Sequence, residues 1–421
     1  MKVKITKMPY EKVISLKKAK HKKPTKPCKL LKWVIRLISA GELKKVNFSY
    51  NFPDRKALGK GPYLILMNHS SFLDLKMVAS IFPNTDYNIV STTDALIGKE
   101  FLMRTLGCIP TQKFVHDISL IKDMKYAIQK NKCSVVMYPE AGYSLDGCAT
   151  ILPENYGRLI KVLGVPTIFI RSYGAFHYDP LYNLLQIRKV NVSCDVEVIA
   201  TKEETSTLSS EELSNRIEKC FSFDNFKWQK DNKIIIDEPF RADGLEKVLY
   251  KCPHCLKEGK MIGKGIHLKC NACGKTYELT TLGEMKALNG ETEFSHIPTW
   301  FNWQRNSVKE DIINGNYKLN IPVRIMMVVD YKSVYDVCDG TLVHNENGFY
   351  LESDDKKLIY TQSPLATHTL NAEYYWYEIG DVISIGDKNA LYYCFPKASG
   401  IVTKTRLAAE ELYKISKQKL N

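Results

Sequence analysis

Residues 61–200 alternate short apolar stretches with helix-like stretches, and this alternation constrains the fold more than any other feature of the sequence. The apolar stretches have strand character and comprise residues 63–67, 87–91, 134–138, 167–170 and 190–200. Stretches with helical apolar spacing lie between them, as in residues 117–130. Apolar strands separated by helices are typical of a largely parallel sheet with helices on its faces, so we expect an α/β fold.

Composition divides the chain into five regions. Residues 1–50 form a basic, flexible or partly helical arm with an amphipathic helix, and residues 51–245 form the α/β domain. A metal ribbon at 246–285 and an aromatic connecting segment at 286–320 follow. Strand-like runs separated by Asp-Gly and Gly-Asp turns predict a small β-rich module with a C-terminal helix at 321–421. The longest apolar runs are far shorter than the ~20 residues that span a bilayer, so we expect no transmembrane helix and, without an apolar leader segment, no secretory signal.

The positive charge of the chain is concentrated in its first fifty residues. These hold 15 Lys and Arg and two acids, whereas the net charge of the whole chain is +14. A basic arm of this kind binds a polyanion, either a nucleic acid or an anionic membrane surface. Residues 28–40 place apolar side chains around Trp33 among lysines, as in a helix that lies in a membrane interface. The alternative is a helix that packs on the protein's own core.

A histidine and an aspartate five residues apart follow the first predicted strand. The segment from Asn68 to Asp74 is NHSSFLD. A turn that enters a helix here brings the Asp74 carboxylate against the His69 imidazole, which fixes the ring tautomer and raises the basicity of the other nitrogen. That nitrogen can then take a proton from an incoming hydroxyl. Alone, the spacing is equally consistent with a surface histidine that caps a helix.

Three further blocks lie at strand edges in the same region. They are residues 107–113 (GCIPTQK), 138–144 (YPEAGYS) and 164–170 (GVPTIFI). Together with the NHSSFLD segment they resemble the four blocks of the glycerolipid acyltransferase family typified by 1-acylglycerol-3-phosphate acyltransferase. The resemblance covers about residues 60–200, which is less than half of the chain.

The resemblance implies transfer of an acyl group from a thioester to a lipid hydroxyl. His69 would be the general base and Asp74 would orient it, and the substrate oxygen would attack the thioester directly. The substrate-binding residues carried over from the four blocks are Asn68, Ser70, Lys113, Glu140, Gly142 and Pro166. Lys113 would bind the acceptor phosphate, whereas Asn68, Ser70 and nearby backbone N–H groups would orient the loop or stabilise the oxyanion.

Departures from the family pattern bear on the acceptor. Ala141, Gly142 and Tyr143 stand where the family usually has Gly, Thr and Arg, and Lys113 stands where Arg is usual. A guanidinium binds phosphate through two bonds, whereas an ammonium acts as a point charge. The leading acceptor is 1-acylglycerol-3-phosphate, in phospholipid synthesis. The alternatives are a lipid acceptor without this phosphate and a catalytically idle lipid-binding scaffold of the same fold.

The cysteines Cys252, Cys255, Cys270 and Cys273 form two Cys-x2-Cys pairs separated by fourteen residues. Two such pairs supply four thiolates for tetrahedral zinc, and four protein ligands leave no position for water, so we expect a structural zinc. His254 lies inside the first pair and is not expected to be a ligand.

The expected partners follow from these features taken together. The resemblance implies acyl-CoA or acyl-carrier protein as donor, a lysophospholipid as acceptor and no redox cofactor. The basic arm adds an anionic membrane surface, so we expect a peripheral protein on the cytoplasmic face of a membrane. Nucleic acid is not expected, because Tyr277 is the only aromatic residue in residues 252–282 and offers no stacking platform.

Overall fold

A computed structural model of the chain describes residues 3–56, 58–113, 118–153, 156–398 and 400–419. Within these ranges, one β-sheet lies in the α/β region, one in the cysteine-rich region and one in the C-terminal region. The α-helices are Tyr10–Ile14, Lys29–Lys45, Asp74–Ile81, Glu100–Thr105, Ile118–Gln129, Tyr156–Leu163, Ala175–Tyr178, Glu204–Thr207, Ser210–Phe221, Asn225–Asp231, Ile297–Ile313 and Ile401–Gln418. Short 3-10 helices are Pro53–Arg55, Thr93–Leu96, Leu181–Asn183, Leu245–Lys247 and Pro364–Ala366.

The sheet of the α/β region is largely parallel, as predicted. In the part of this region that the structure describes, its strands lie in the order Ser49–Asn51, Ser193–Ala200, Thr167–Tyr173, Leu64–Met67, Ser134–Met137, Tyr87–Thr92 and Cys108–Thr111. Neighbouring strands run parallel except for Thr167–Tyr173 and Ser193–Ala200. All five predicted strands are present, and the two edge strands were missed. Cys108–Thr111 contains Pro110, which is tolerated at a sheet edge but weakens the sequence signal for a strand.

Helices bury both faces of the central strand Leu64–Met67. Successive side chains of a strand point to opposite faces, and accordingly Ile65 and Met67 join one apolar cluster whereas Leu64 and Leu66 join another. The first cluster contains residues of the helices Lys29–Lys45 and Asp74–Ile81, and the second contains residues of helices on the other face. All four strand side chains are fully buried, so the carboxyl end of this strand is firmly held.

The cysteine-rich region forms a small antiparallel sheet. Its strands, over the described residues, lie in the order Met285–Ala287, Thr276–Leu279, His267–Cys270 and Met261–Lys264. Trp300 of the following helix is fully buried, contacts the Tyr277 ring at 5.0 Å, and donates its indole N–H to the Lys251 carbonyl at 3.0 Å. The aromatic connecting segment therefore packs against the ribbon.

The C-terminal region forms a larger, mainly antiparallel sheet. Its described strands lie in the order Ile359–Gln362, Gly348–Ser353, Val334–Asn345, Leu319–Val328, Leu391–Pro396, Gly380–Gly386 and Asn371–Trp376. The helix Ile401–Gln418 belongs to the same apolar core as much of this sheet, through buried residues such as Val402 and Leu407. The predicted C-terminal β-rich module is therefore confirmed, and a helix follows its strands.

The N-terminal arm contains the short helix Tyr10–Ile14, in line with the partly helical arm that the sequence predicts, and it also contacts distant parts of the chain. Ile5–Lys7 form a strand that runs parallel to Val334–Asp336 of the C-terminal sheet. Farther along, the His21 imidazole lies 2.9 Å from the Asp123 carboxylate of the α/β domain. Local sequence patterns cannot reveal such pairing, because the partner strand lies at the far end of the chain. None of the helices in the described ranges has the length and apolarity needed to cross a membrane.

Candidate active site

The loop that follows the strand Leu64–Met67 carries the predicted histidine. The Nδ1 atom of His69 lies 2.8 Å from the Oδ2 atom of Asp74, which is the first residue of the helix Asp74–Ile81. The loop lies at the carboxyl edge of a parallel sheet, where α/β proteins bind their ligands. The structure therefore brings the predicted pair together at the expected edge.

Asp74 is held in place by three donors. Its side chain is 1% exposed, and Oδ2 also accepts the backbone N–H groups of Ser70 at 2.9 Å and Ser71 at 3.2 Å. An ionised carboxylate only accepts hydrogen bonds, so the proton of the neutral imidazole lies on Nδ1 of His69 and Nε2 keeps its lone pair. The His69 side chain is 22% exposed, which makes Nε2 the group that can act as a base.

A second buried carboxylate fixes the main chain of His69. Glu140 Oε2 accepts the His69 backbone N–H at 2.9 Å, and Oε1 accepts the Thr150 backbone N–H at 2.8 Å. Burial raises the pKa of the Glu140 carboxyl. Ala141 has a φ of 52°, which lies in the left-handed region that favours glycine. Glycine is also the usual residue at this position in the family that the four blocks resemble. Glu140 thus ties the block 138–144 to the histidine loop.

Two tyrosine rings cover the faces of the imidazole. The ring centroid of His69 lies 4.4 Å from that of Tyr138 and 4.1 Å from that of Tyr143, with interplanar angles of 27° and 26°. Phe72, which is half exposed, contacts Tyr143 at 5.8 Å. Burial raises the pKa of Tyr138 and of Tyr143 well above the ordinary value, so both phenols stay neutral near pH 7. The imidazole therefore presents its edge between two neutral rings.

Asn68 and Ser70 connect the histidine loop to the neighbouring strand Thr167–Tyr173. The Asn68 side chain donates to Ser172 Oγ at 3.0 Å and accepts the Ser172 backbone N–H at 2.9 Å. The hydroxyl of Ser70 lies 3.3 Å from that of Ser172. These contacts hold the loop against the sheet, which is one of the two roles that the sequence left open for Asn68 and Ser70.

Part of the chain is similar to known proteins. Residues 45–168 match the family model described as Acyltransferase. This matched part contains the histidine loop, Asp74 and the block 138–144. The 1-acyl-sn-glycerophosphate (LPA) acyltransferase PlsC from Thermotoga maritima has a similar solved structure, with 16% identity, a TM-score of 0.34, and coverage of 46% of this chain and 77% of that chain. No curated protein sequence matches the chain.

Lys113 of the α/β domain contacts the C-terminal sheet. Its ammonium forms an ion pair with the carboxylate of Glu373, and the Lys113 side chain is only 12% exposed. Burial lowers the pKa of Lys113 to about 8. Asp94 and Tyr393, which form a hydrogen bond with each other, line the same small cavity. An acceptor phosphate that binds Lys113 would therefore have to displace Glu373.

Pro166 lies at the opposite edge of the sheet from His69. Its carbonyl accepts the backbone N–H of Leu64, where the central strand begins, whereas His69 follows the end of that strand. Four strand residues separate the two edges by roughly 13 Å. Pro166 therefore lies outside the candidate site. Gly142, in contrast, borders open space, because no atom lies within 4 Å of the position that a Cβ would take.

Sequence reasoning missed three residues that support the histidine loop, namely Thr150, Ser172 and Asp179. The Oδ2 atom of Asp179 accepts the Phe72 backbone N–H at 3.3 Å. Asp179 is 6% exposed, and burial raises its pKa to about 7. No block of the sequence pointed to these residues, because the fold alone brings Ser172 and Asp179 to the loop and Thr150 to Glu140.

The four predicted metal-binding cysteines lie together in the ribbon. The Sγ atoms of Cys252 and Cys273 are 3.8 Å apart, those of Cys255 and Cys270 are 3.7 Å apart, and all four sulfurs lie within 4.8 Å of one another. Tetrahedral zinc with Zn–S bonds of about 2.3 Å places its sulfur ligands roughly 3.8 Å apart. The donor set and its spacing therefore fit one tetrahedral metal ion, and His254 is not part of the group.

Proposed function

We propose that this chain transfers a fatty acyl group from a thioester to the hydroxyl of a lysophospholipid. The observation that carries the proposal is the 2.8 Å contact between His69 Nδ1 and Asp74 Oδ2 at the carboxyl edge of a parallel sheet. The match of the surrounding residues to the acyltransferase family model supports it. The donor is acyl-CoA or acyl-carrier protein, as the resemblance implies.

In the proposed reaction, Nε2 of His69 takes the proton of the acceptor hydroxyl while the hydroxyl oxygen attacks the thioester carbonyl. Asp74 stabilises the imidazolium that forms, since its buried carboxylate accepts the Nδ1 proton. Collapse of the tetrahedral intermediate breaks the carbon–sulfur bond. The imidazolium then returns the proton to the leaving thiolate, which yields the ester product and a free thiol.

The remaining residues of the site hold His69 in position. Glu140, Asn68 and Ser70 hold the histidine loop on the sheet and against the block 138–144. The backbone N–H of Ser70 already donates to Asp74, so it is not available to the oxyanion. Gly142 leaves room for substrate beside the Tyr143 ring, because a side chain would project there.

The acceptor head group has two candidates. The resemblance favours 1-acylglycerol-3-phosphate with Lys113 as the phosphate ligand. The ion pair of Lys113 with Glu373 favours a lipid acceptor without a phosphomonoester, because the lysine charge is already neutralised. If Lys113 binds phosphate, Lys113→Ala raises KM for 1-acylglycerol-3-phosphate alone. If it does not, the variant leaves the relative KM values of the two acceptors unchanged.

We propose that the helix Lys29–Lys45 binds an anionic membrane surface. Leu43 on one side of the helix is buried in the core, whereas Leu30, Trp33, Leu37 and Ile38 are each more than half exposed. The helix thus packs on the protein and still presents an apolar face with lysines beside it, as interfacial helices do. This arrangement supports a peripheral protein on the cytoplasmic face of a membrane.

The four ribbon cysteines would hold one structural zinc. Its chemistry there is limited to cross-linking the two Cys-x2-Cys turns, because four thiolates complete the tetrahedron. Zinc bound in this way contributes folding energy to a sheet that is too small to bury a large core.

The test is an acyl-transfer assay on the purified chain with lipid vesicles. A mixture of lysophospholipids is offered with acyl-CoA and, separately, with acyl-carrier protein, and the products are identified by mass spectrometry. We expect a diacyl product that His69→Ala reduces about 10²- to 10⁴-fold. A chain that binds these lipids but forms no product with either donor would instead be the idle scaffold.

A further inference from the structure

The His69 imidazole is held between two aromatic faces as well as by Asp74. Tyr138 directly follows the strand Ser134–Met137, and Tyr143 lies on the loop that Glu140 ties to the His69 main chain. Both rings are close to parallel with the imidazole, at 4.4 and 4.1 Å between centroids. The two tyrosines therefore contact the faces of the ring, whereas Asp74 contacts its edge.

The faces of a phenol ring carry negative electrostatic potential. A cation over such a face is attracted, whereas a neutral ring in the same place gains only stacking energy. Protonated imidazole is a planar cation, so both tyrosine faces stabilise it more than they stabilise the neutral form. Because burial raises the pKa of both phenols, this stabilisation comes from the rings and not from phenolate charge.

We propose that Tyr138 and Tyr143 are positioning residues that fix the plane of the His69 imidazole and favour its protonated form. The inference rests on the proposed function, in which the imidazolium forms while the acceptor hydroxyl attacks. The two tyrosine rings contact the imidazole from above and below its plane, whereas Asp74 contacts it within the plane. The contribution of the rings can therefore be changed without changing the contact with Asp74. Nε2 lies in the plane and is not covered by either face.

Other charged groups also lie around the ring, and a substitution at either tyrosine leaves them in place. Asp74 accepts the Nδ1 proton, and Glu140 accepts the His69 backbone N–H and also interacts electrostatically with the imidazole. Asp179 contacts the Phe72 backbone and lies close enough to Asp74 and Lys76 to interact electrostatically with both. Substitutions at the two tyrosines therefore measure how much the aromatic faces alone contribute to the protonation of His69.

The experiment follows the titration of His69 by NMR in protein labelled with ¹³C at histidine, with His69→Ala to assign its signal. The variants are Tyr143→Leu, which removes the ring, and Tyr143→Phe, which keeps it without the hydroxyl. Tyr50→Leu, at a partly exposed tyrosine of an edge strand, is the matched control. We expect the His69 midpoint to fall by about half a pH unit in Tyr143→Leu and to stay unchanged in Tyr143→Phe and Tyr50→Leu.

Acyl-transfer kinetics on the same variants give the second readout. We expect kcat to fall about threefold in Tyr143→Leu with little change in KM, and Tyr143→Phe to keep the wild-type kcat. An unchanged His69 midpoint in Tyr143→Leu, or loss of the effect in Tyr143→Phe as well, would overturn the inference. If the wild-type chain shows no acyl transfer, the proposed function fails, and the NMR midpoints still decide the inference about the rings.

Discussion

Replacing Asp74 by asparagine tests the central pair most directly. The asparagine oxygen can still accept the hydrogen bonds that Asp74 Oδ2 accepts from His69, Ser70 and Ser71, so the loop keeps its contacts. The variant removes the negative charge beside the imidazolium that forms during proton transfer. We therefore expect kcat to fall while KM and the folded structure change little.

The size of the effect follows from the geometry. With His69 Nδ1 and Asp74 Oδ2 at 2.8 Å, the charge centres of the pair lie close to 4 Å apart. At an effective dielectric constant of about 20, unit charges at this separation attract by roughly 4 kcal/mol. Losing that attraction in the transition state alone reduces the rate about a thousandfold.

The assay measures initial rates of acyl transfer over a range of acceptor concentrations. The chain offers a matched control in Asp123, a buried aspartate that pairs with His21 at 2.9 Å on the helix Ile118–Gln129. Asp123→Asn removes the charge of a second His–Asp pair and should leave kcat unchanged. A kcat for Asp74→Asn within tenfold of the wild type would refute the assignment of His69 and Asp74.

Three further predictions concern stability, metal and membrane. Asp179→Asn should stabilise the protein by a few kcal/mol near pH 8 and have little effect near pH 4. Burial raises the folded pKa of Asp179 from 3.8 to about 7, so between these pH values the folded chain binds a proton that the unfolded chain releases. The stability of the wild-type protein is therefore lost as pH rises through this window. Thermal unfolding at both pH values checks this, and equal shifts would contradict it. Cys270→Ser should lose bound zinc and speed hydrogen exchange in residues 252–273. Metal analysis and hydrogen-exchange mass spectrometry measure these two effects. Wild-type protein that is purified without any metal would contradict the zinc site. Glutamates at both Leu37 and Ile38 should weaken binding to anionic vesicles at least tenfold in a sedimentation assay, and unchanged binding would exclude this helix as the membrane contact.

The parts of the fold and site that depend on neighbours in sequence could be predicted. The central strands are continuous apolar runs, and His69 and Asp74 are five residues apart, so a single turn brings them together. The four cysteines likewise form two local pairs. Each of these features depends on the local conformation of only one or two short segments.

Contacts between distant segments could not be predicted. The strand Ile5–Lys7 pairs with Val334–Asp336. Ser172 reaches the histidine loop from the end of a neighbouring strand, and Asp179 reaches it from the end of the short helix Ala175–Tyr178. For Pro166 the sequence did contain a usable signal. A residue that precedes a parallel strand lies at the amino edge of the sheet, whereas His69 follows its strand and lies at the carboxyl edge.

The surroundings of Lys113 show why the acceptor is harder to predict than the chemistry. The proposed catalytic pair is local to the α/β domain, but Lys113 and Asp94 of that domain contact Glu373 and Tyr393 of the C-terminal sheet. The charge available to a head group at Lys113 thus depends on a carboxylate 260 residues away. In a chain with the same four blocks and a different C-terminal module, Lys113 would have a different charge partner. We therefore expect acceptor choice in this protein to depend on the contact between the two regions and not on the blocks alone.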